Sequence, residues 1–217
     1  MLCSVFLSFT FFFIAPGASA EIIDRIAVSI GSTVITASEV DRTIRVTAFQ
    51  NGLRLDFRSA SRRETAQRLV DQKLVRREMD LSRYPQPDPS EADPLLTQLR
   101  AGRYPNDTEF QQALKDYGVM EQDLRDALLW ELTLVRFIEV RFRPAIQVTN
   151  QELEDYFEKV VRPAAQAARP AEAVSLDDYR NRIEEKLAGQ RADQEVDNWL
   201  KEARKRLVIE VHEEAFQ

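Results

Sequence analysis

"RIAVSIGSTVITASEVDR", residues 25–42, sets the terms for the whole chain. Ile26, Val28 and Ile30 alternate with smaller or polar residues, a strand pattern. Gly31-Ser32 interrupts it, and Thr33–Thr36 reads as a short returning strand. Thr36-Ala37-Ser38-Glu39 then has the spacing of a capping box, in which the Thr hydroxyl serves an amide three residues on and Glu39 reaches back. A two-stranded hairpin is marginal in water, whereas a third strand makes a viable small sheet. The segments with strand character are residues 23–30, Thr33–Thr36 and, far along the chain, "LVIEV" at 207–211. The two ends are therefore expected to meet. The fold class that follows is mainly α, with a small antiparallel sheet made from an N-terminal hairpin and the C-terminal strand.

The intervening sequence reads as helix after helix. Ser61-Arg62-Arg63-Glu64 repeats the capping-box spacing and predicts a helix to about Leu81, with Leu69, Val70, Leu74 and Met79 on its apolar face. "YPQPDPSEADP", residues 84–94, carries four prolines and predicts a loop, after which Ser90 caps a short helix holding Leu95, Leu96 and Leu99 and ending at Gly102. Asp107 opens another helix, with Phe110, Ala113, Leu114 and Tyr117, closed by Gly118. The longest pattern, 120–142, is stopped by Pro144. Its apolar residues occupy two faces: Leu124, Leu128, Val135, Ile138 and Phe142 on one, Trp130, Leu134 and Phe137 on the other. Such a helix is either central in the fold or lines an open apolar groove. Thr149-Asn150-Gln151-Glu152 is a third capping box, followed by Leu153, Tyr156, Phe157 and Val160. "RPAAQAARPAEAV", 162–174, lacks a core pattern and reads as an Ala/Pro linker. Ser175 restarts a helix bearing Tyr179, Ile183, Leu187, Val196, Trp199 and Leu200.

Residues 1–20 are set apart. They contain no charged side chain, an apolar run at 5–14, and the small-residue pattern Ala18-Ser19-Ala20, which reads as a cleavable signal peptide cut after Ala20. Export is the expectation. The single cysteine, Cys3, lies in that segment, so residues 21–217 offer no disulfide framework, thiolate metal site or thiol nucleophile. A net charge of −6 disfavours nucleic acid as a partner.

Little catalytic chemistry can be assembled. One histidine, His212, stands among Glu210, Glu213 and Glu214 and reads as a solvated residue. Six glycines supply no phosphate-binding loop, and no metal cluster, cofactor site or Ser-His-Asp set can be built. Residues 58–77 hold seven basic side chains against Glu64 and Asp71; Arg62 and Arg63 belong either to a wet helix face or to a weak contact with acidic lipid or a membrane partner.

Three stretches carry a family resemblance. The pattern "VSIGSTVITASEVD" after a signal peptide resembles the start of the SurA-type periplasmic chaperones and their PrsA and PpiD relatives. "VTNQELEDYFEK" (148–159) is similar to the helix that leads into their parvulin isomerase domain, and "SLDDYRNRIEEKLAGQRADQEVDNWLKEARKRLVIEV" (175–211) to their terminal helix and strand. The resemblance implies one helical chaperone domain assembled from 21–161 and 175–217. The linker 162–174 stands where a parvulin domain would sit, and thirteen residues are too few for a domain, so isomerase activity is not carried over. It further implies a periplasmic, ATP-independent, non-enzymatic holdase without cofactors, whose partners are unfolded or extended polypeptides, outer-membrane proteins among them. Peptide contacts are expected at Trp130, Leu134, Phe137, Phe110 and Tyr117. A non-catalytic adaptor docking one folded envelope partner is the alternative.

Overall fold

The computed structural model describes residues 24–168 and 174–217; the expected signal peptide and cleavage point lie outside them. The chain opens with β1 (Ile26–Ile30) and β2 (Thr33–Thr36), joined by a two-residue turn in which Gly31 takes φ 55°, the left-handed region that glycine enters without steric cost. β3 (Ile209–Val211) pairs antiparallel with the other side of β1, giving the order β2-β1-β3. Val28 faces Val211, and Ile30 faces Ile209. The pairing extends past the strand ends: Gly31 N–H donates to Val208 O at 3.0 Å and His212 N–H to Ala27 O at 2.9 Å. The ends of the described chain do meet, as the strand pattern required.

Between β2 and β3 run α1 (Ala37–Asn51), α2 (Ser59–Ser82), α3 (Ala92–Arg103), α4 (Asp107–Tyr117), α5 (Glu121–Arg141), α6 (Asn150–Tyr156), α7 (Arg162–Ala168) and α8 (Arg180–Lys205). The inward face of β1 (Val28, Ile30) joins Val40 and Ile44 of α1 and Leu69, Val70 and Leu74 of α2 in one core. Phe216, from a 3-10 turn after β3, is 1 % exposed in that core, with its carbonyl accepting from Ser59 Oγ at 2.8 Å. Nothing in the acidic tail pattern announced this phenylalanine; its full burial is worth roughly 1.5–3 kcal/mol. A second core joins α1 to α3, α4 and α5, and a third joins α2, α5 and α8. Arg204 ties α8 to α2 by donating to Asp71 Oδ1 at 2.9 Å and to Gln67 Oε1 at 2.8 Å.

Helix starts follow the expected chemistry in part. Thr36 Oγ1 accepts from Glu39 N–H, but the Glu39 carboxylate turns instead to Lys73 at 2.9 Å. At 149–152 the box is complete, with the Glu152 carboxylate accepting from Thr149 N–H at 2.8 Å. At 61–64 it does not form. α2 starts three residues earlier, with Arg58 as its N-cap, and Asp56 accepts from Arg58 N–H and from the Ser61 hydroxyl that would have capped. Asp88 with Glu91, rather than Ser90, makes the capping box before α3, and Gly102 lies inside that helix.

The linker reading of 162–174 needs correction over its first seven residues. α6 continues without a break through a π-helical turn, Phe157–Val161, into α7. Arg162 N–H donates to Phe157 O, the wider i→i+5 bond. Pro163 cannot donate and its ring crowds the carbonyl four residues back, so widening the helix just before it is a known accommodation. Four alanines then favour continued helix. Residues 169–173 lie outside the described chain.

Candidate peptide-binding surfaces

The expected contact residues fall into two separate aromatic clusters. Phe110 and Tyr117 of α4 pack round Phe49 of α1, with ring centroids 6.1 and 5.5 Å from it, and Tyr104 stacks on Phe49 at 5.7 Å. Phe110 is fully buried, and the half-exposed Tyr117 spends its hydroxyl on Leu53 O at 2.9 Å. The other cluster centres on Phe137 of α5, 1 % exposed, which meets Tyr84, Phe142 and Trp199 edge-on at 5.4–5.6 Å. Trp130 is buried in the same cluster and Leu134 half-buried. Arg141 closes this cluster from outside: it bonds Tyr84 Oη at 3.0 Å, pairs with Glu78 at 2.9 Å and lies over the Trp199 ring.

The double apolar face of α5 is therefore core, because α2 and α8 cover one face and α1, α3 and α4 the other. Phe110, Phe137 and Trp130 do not line an open groove, and the five residues do not form one surface. What α5 leaves in water is Val135, 58 % exposed, and Val140.

An open apolar groove lies elsewhere, between the α6–α7 rod and the start of α8. It has a volume of about 480 Å³ and is lined by Tyr156, Val160, Val161, Ala164 and Ala165 on one side and Tyr179 and Ile183 on the other. The stems of Arg182 and Lys186 complete it. Val160 is 47 % exposed, whereas Phe157 and Ile183 are buried beneath as its floor. The π-turn produces this arrangement. By adding a residue to the turn it swings Val160 and Val161 relative to Leu153 and Phe157, so apolar side chains face both the floor and the mouth. Polar contacts hold the walls in place. Arg191 of α8 bonds both Glu152 and Gln147 O, and Arg180 Nη1 donates to Asn150 Oδ1 at 3.1 Å. The cap bonds from Thr149, followed by Arg191, hold the Glu152 carboxyl below its ordinary range. Lys159 does the same for Asp155. A groove with apolar walls, two tyrosines and cations at its lip can take alternate side chains of an extended chain while leaving its backbone wet.

The basic residues singled out from sequence have local partners. Arg62 makes a two-pronged contact with Asp41, at 2.8 and 3.1 Å, and lies over the Phe57 ring; Asp41 raises the Arg62 pKa above the ordinary arginine value. Arg63 pairs with Glu213 at 2.6 Å, linking α2 to the segment after β3. His212 is less solvated than its acidic neighbourhood suggested: its Nε2 lies 3.1 Å from Ser29 Oγ across the sheet. Among the described residues no group of three or more His, Cys, Asp or Glu could hold a metal ion, and no helix is long and apolar enough to cross a membrane.

The sequence places Tyr156, Val160, Tyr179 and Ile183 on helices without showing the groove, and Ala164 and Ala165 fall in the stretch read as a linker. Tyr156 and Val160 precede the Ala/Pro stretch, and Tyr179 and Ile183 follow it. The available signal was that both flanking segments are apolar on one side, so that closing the chain brings those sides together.

No protein-family model matches the chain. A search of curated proteins finds a similarity to the "Chaperone SurA" of Alkalilimnicola ehrlichii, 29% identical over 145 residues. The match takes in 65% of this chain and 33% of that protein, so the chain corresponds to about a third of the relative's length. The similarity agrees in kind with the resemblance carried by the hairpin, the 148–159 helix and the terminal helix and strand.

Proposed function

We propose that this protein is an ATP-independent holdase of the periplasm, binding unfolded envelope proteins, outer-membrane proteins among them, without isomerising their prolines. The observation that carries the reading is the open groove between α6–α7 and α8, whose exposed Val160 and paired tyrosines offer apolar contact without a catalytic set. The distant similarity to a chaperone supports the same class. Buried aromatic clusters on either side of α5 make the body rigid, and the groove supplies the contact area. Weak, sequence-tolerant binding follows from apolar pockets that read side chains two residues apart. The adaptor alternative would fill the same groove with one folded partner.

The test is aggregation of a chemically unfolded outer-membrane β-barrel on dilution from denaturant. Equimolar protein is expected to slow it, and Val160→Asp to weaken that effect with the melting temperature unchanged. Absence of any effect on several such clients would overturn the reading. Crosslinking in cells that yields one dominant folded partner, rather than many barrel precursors, would replace it with the adaptor.

A further inference from the structure

A second cavity, also of about 480 Å³, lies between the hairpin turn, α2 and the residue that follows α8's last turns, Leu207. Its chemistry differs from that of the groove. Lys73, Arg76 and Arg77 line it together with one carboxylate, Asp80. Lys73 is already committed to Glu39 at 2.9 Å. Arg76 and Arg77 make no ion pair or side-chain hydrogen bond with any described residue, although neighbouring cations on α2 do, Arg68 with Glu64 and Arg62 with Asp41. With Glu39 set against Lys73 and Asp80 against the two arginines, the lining keeps one net positive charge; Asp126, which also acts on Arg76, lies outside the lining. Its wall is apolar where Leu74 and Leu207 line it, and Leu81 stands at it 72 % exposed, among the most exposed large apolar side chains described.

Arg76 lies over an aromatic ring. Its guanidinium carbon sits 4.3 Å from the centre of the Trp130 ring, a cation–π contact that uses none of its N–H donors. Surrounding protein disfavours the Arg76 charge and lowers its pKa, with Asp80, Glu39 and Asp126 opposing. A planar fork with its donors unused, one net charge and an adjacent apolar wall call for a planar monoanion attached to an apolar group. A carboxylate accepts two parallel N–H bonds from such a fork. Ser32 of the hairpin turn and Thr33 at the start of β2 also line the cavity.

We infer that this cavity binds the free α-carboxylate of an extended polypeptide, with the terminal apolar side chain against Leu81 and Leu207. This deepens the unfolded-chain reading above and rests on it: the groove takes the body of a client and the cavity takes its end. A C-terminal residue carries a carboxylate and an apolar side chain on one Cα, which matches cations and an apolar wall lining one cavity.

The probe is a fluorescently labelled octapeptide ending in an apolar residue, compared with the same peptide as its C-terminal amide, by anisotropy with the intact protein. The acid is expected to bind at least tenfold more tightly than the amide. Arg76→Gln with Arg77→Gln is expected to abolish that preference, whereas Arg68→Gln, whose cation is paired elsewhere, keeps it. Equal binding of acid and amide to the unaltered protein would overturn the inference even if the double variant failed to fold. So would an acid preference that survives in a folded double variant. Vesicles of phosphatidylglycerol supply the other source of a monoanion. Loss of vesicle binding in the double variant with the peptide preference intact would assign the cations to lipid and overturn the inference. Peptide binding without an acid preference, together with slowed client aggregation, leaves the holdase reading standing and removes only the chain-end cavity. An acid preference without any effect on aggregation does the reverse.

Discussion

Phe137 on α5 and Val160 beyond α6 belong to helical segments that look alike as sequence. Both are rich in apolar residues, and each carries aromatics at helical spacing. In the fold they have opposite fates. Phe137 is sealed by Tyr84, Phe142 and Trp199, whereas Val160 stands half in water at the lip of a groove. The difference lies in the partners. α5 is crossed on both sides by helices that arrive from elsewhere in the chain, whereas among the described residues the α6–α7 rod packs on the start of α8 and on the short segments around Val148 and Val174–Leu176. Apolar excess on a helix thus marks a need for cover, and the number of available neighbours decides whether the need is met. Phe137 is an architectural residue and Val160 an interactive one for that reason.

The sealed side should break hardest. Deleting residues 206–217 removes β3, Phe216 and the Arg63–Glu213 pair, leaving the second edge of β1 and the core against Val28 and Ile30 open. Cooperative melting of the N-terminal helices is expected to be lost along with the C-terminal segment, monitored by far-UV circular dichroism. An unchanged melting temperature would show that β3 is an ornament on a body already closed. Next comes the direct contrast. Phe137→Ala empties a fully buried ring site and should cost about 3–5 kcal/mol in denaturant unfolding. Val160→Asp, at an exposed position, should stay within about 0.5 kcal/mol while weakening client binding. If the two variants cost the same, the groove is core and the contrast fails.

How far the sequence carried this distinction depends on what each region needed. The sheet was legible because strand-forming segments are scarce in this chain, so pairing them left few arrangements. Helix ends were legible where one residue decides, as at Gly118, whose left-handed backbone closes α4, and at Thr149. They failed where two polar residues competed, as Asp56 did for Ser61. Phe216 was invisible because burial of an aromatic in a charged tail follows from tertiary closure alone. The five expected peptide contacts were correctly read as apolar, but pattern cannot tell a face covered by another helix from one open to water. Tyr156, Val160 and Tyr179 went unnoticed for the converse reason: the Ala/Pro stretch between them looked like a break, while the structure makes its first part a helix that presents them.

Acid should separate the two regions by a smaller margin. Glu152 has its pKa lowered below the ordinary glutamate value by the Thr149 cap and then by Arg191. A depressed carboxylate contributes stability that is present above the unfolded value and is lost as pH falls through the folded one. The α6 start and its link to α8 should therefore loosen on acidification below about 4.5. Asp71, where α8 is tied to α2, has the opposite sign: burial raises its pKa more than Arg204 lowers it. Its contribution is present at low pH and is lost as pH rises through the folded value. Hydrogen exchange from about pH 7 down to about pH 3.5, corrected for intrinsic rates, should show α6 amides losing protection before those of α8 near Arg204. Glu152→Gln should remove most of the pH dependence at α6 alone. Uniform loss of protection would mean that the two attachments of α8 do not act separately.

The smallest expected effect is none. Lowering the barrier to X-Pro rotation, about 18–20 kcal/mol, needs a pocket that holds the twisted amide better than either planar form. The groove has no such feature. Its polar groups are Arg182 and Lys186 at the lip and tyrosine hydroxyls, and its walls are the flat sides of two helices. Binding an extended proline peptide there would favour whichever planar isomer fits, which shifts a population and adds no rate. Between Val161 and Ser175 the chain continues into α7, and the thirteen residues 162–174 are too few for a separate domain, which is the expectation this experiment tests. Exchange spectroscopy on a labelled Ala-Pro-Phe peptide should therefore give the same cis-to-trans rate with and without saturating protein. If peptide lines broaden through binding while the exchange rate is unchanged, groove and chemistry are cleanly separated. A rate above background would mean that the groove does more than hold, and Val160→Asp would then have to abolish the acceleration and the binding together.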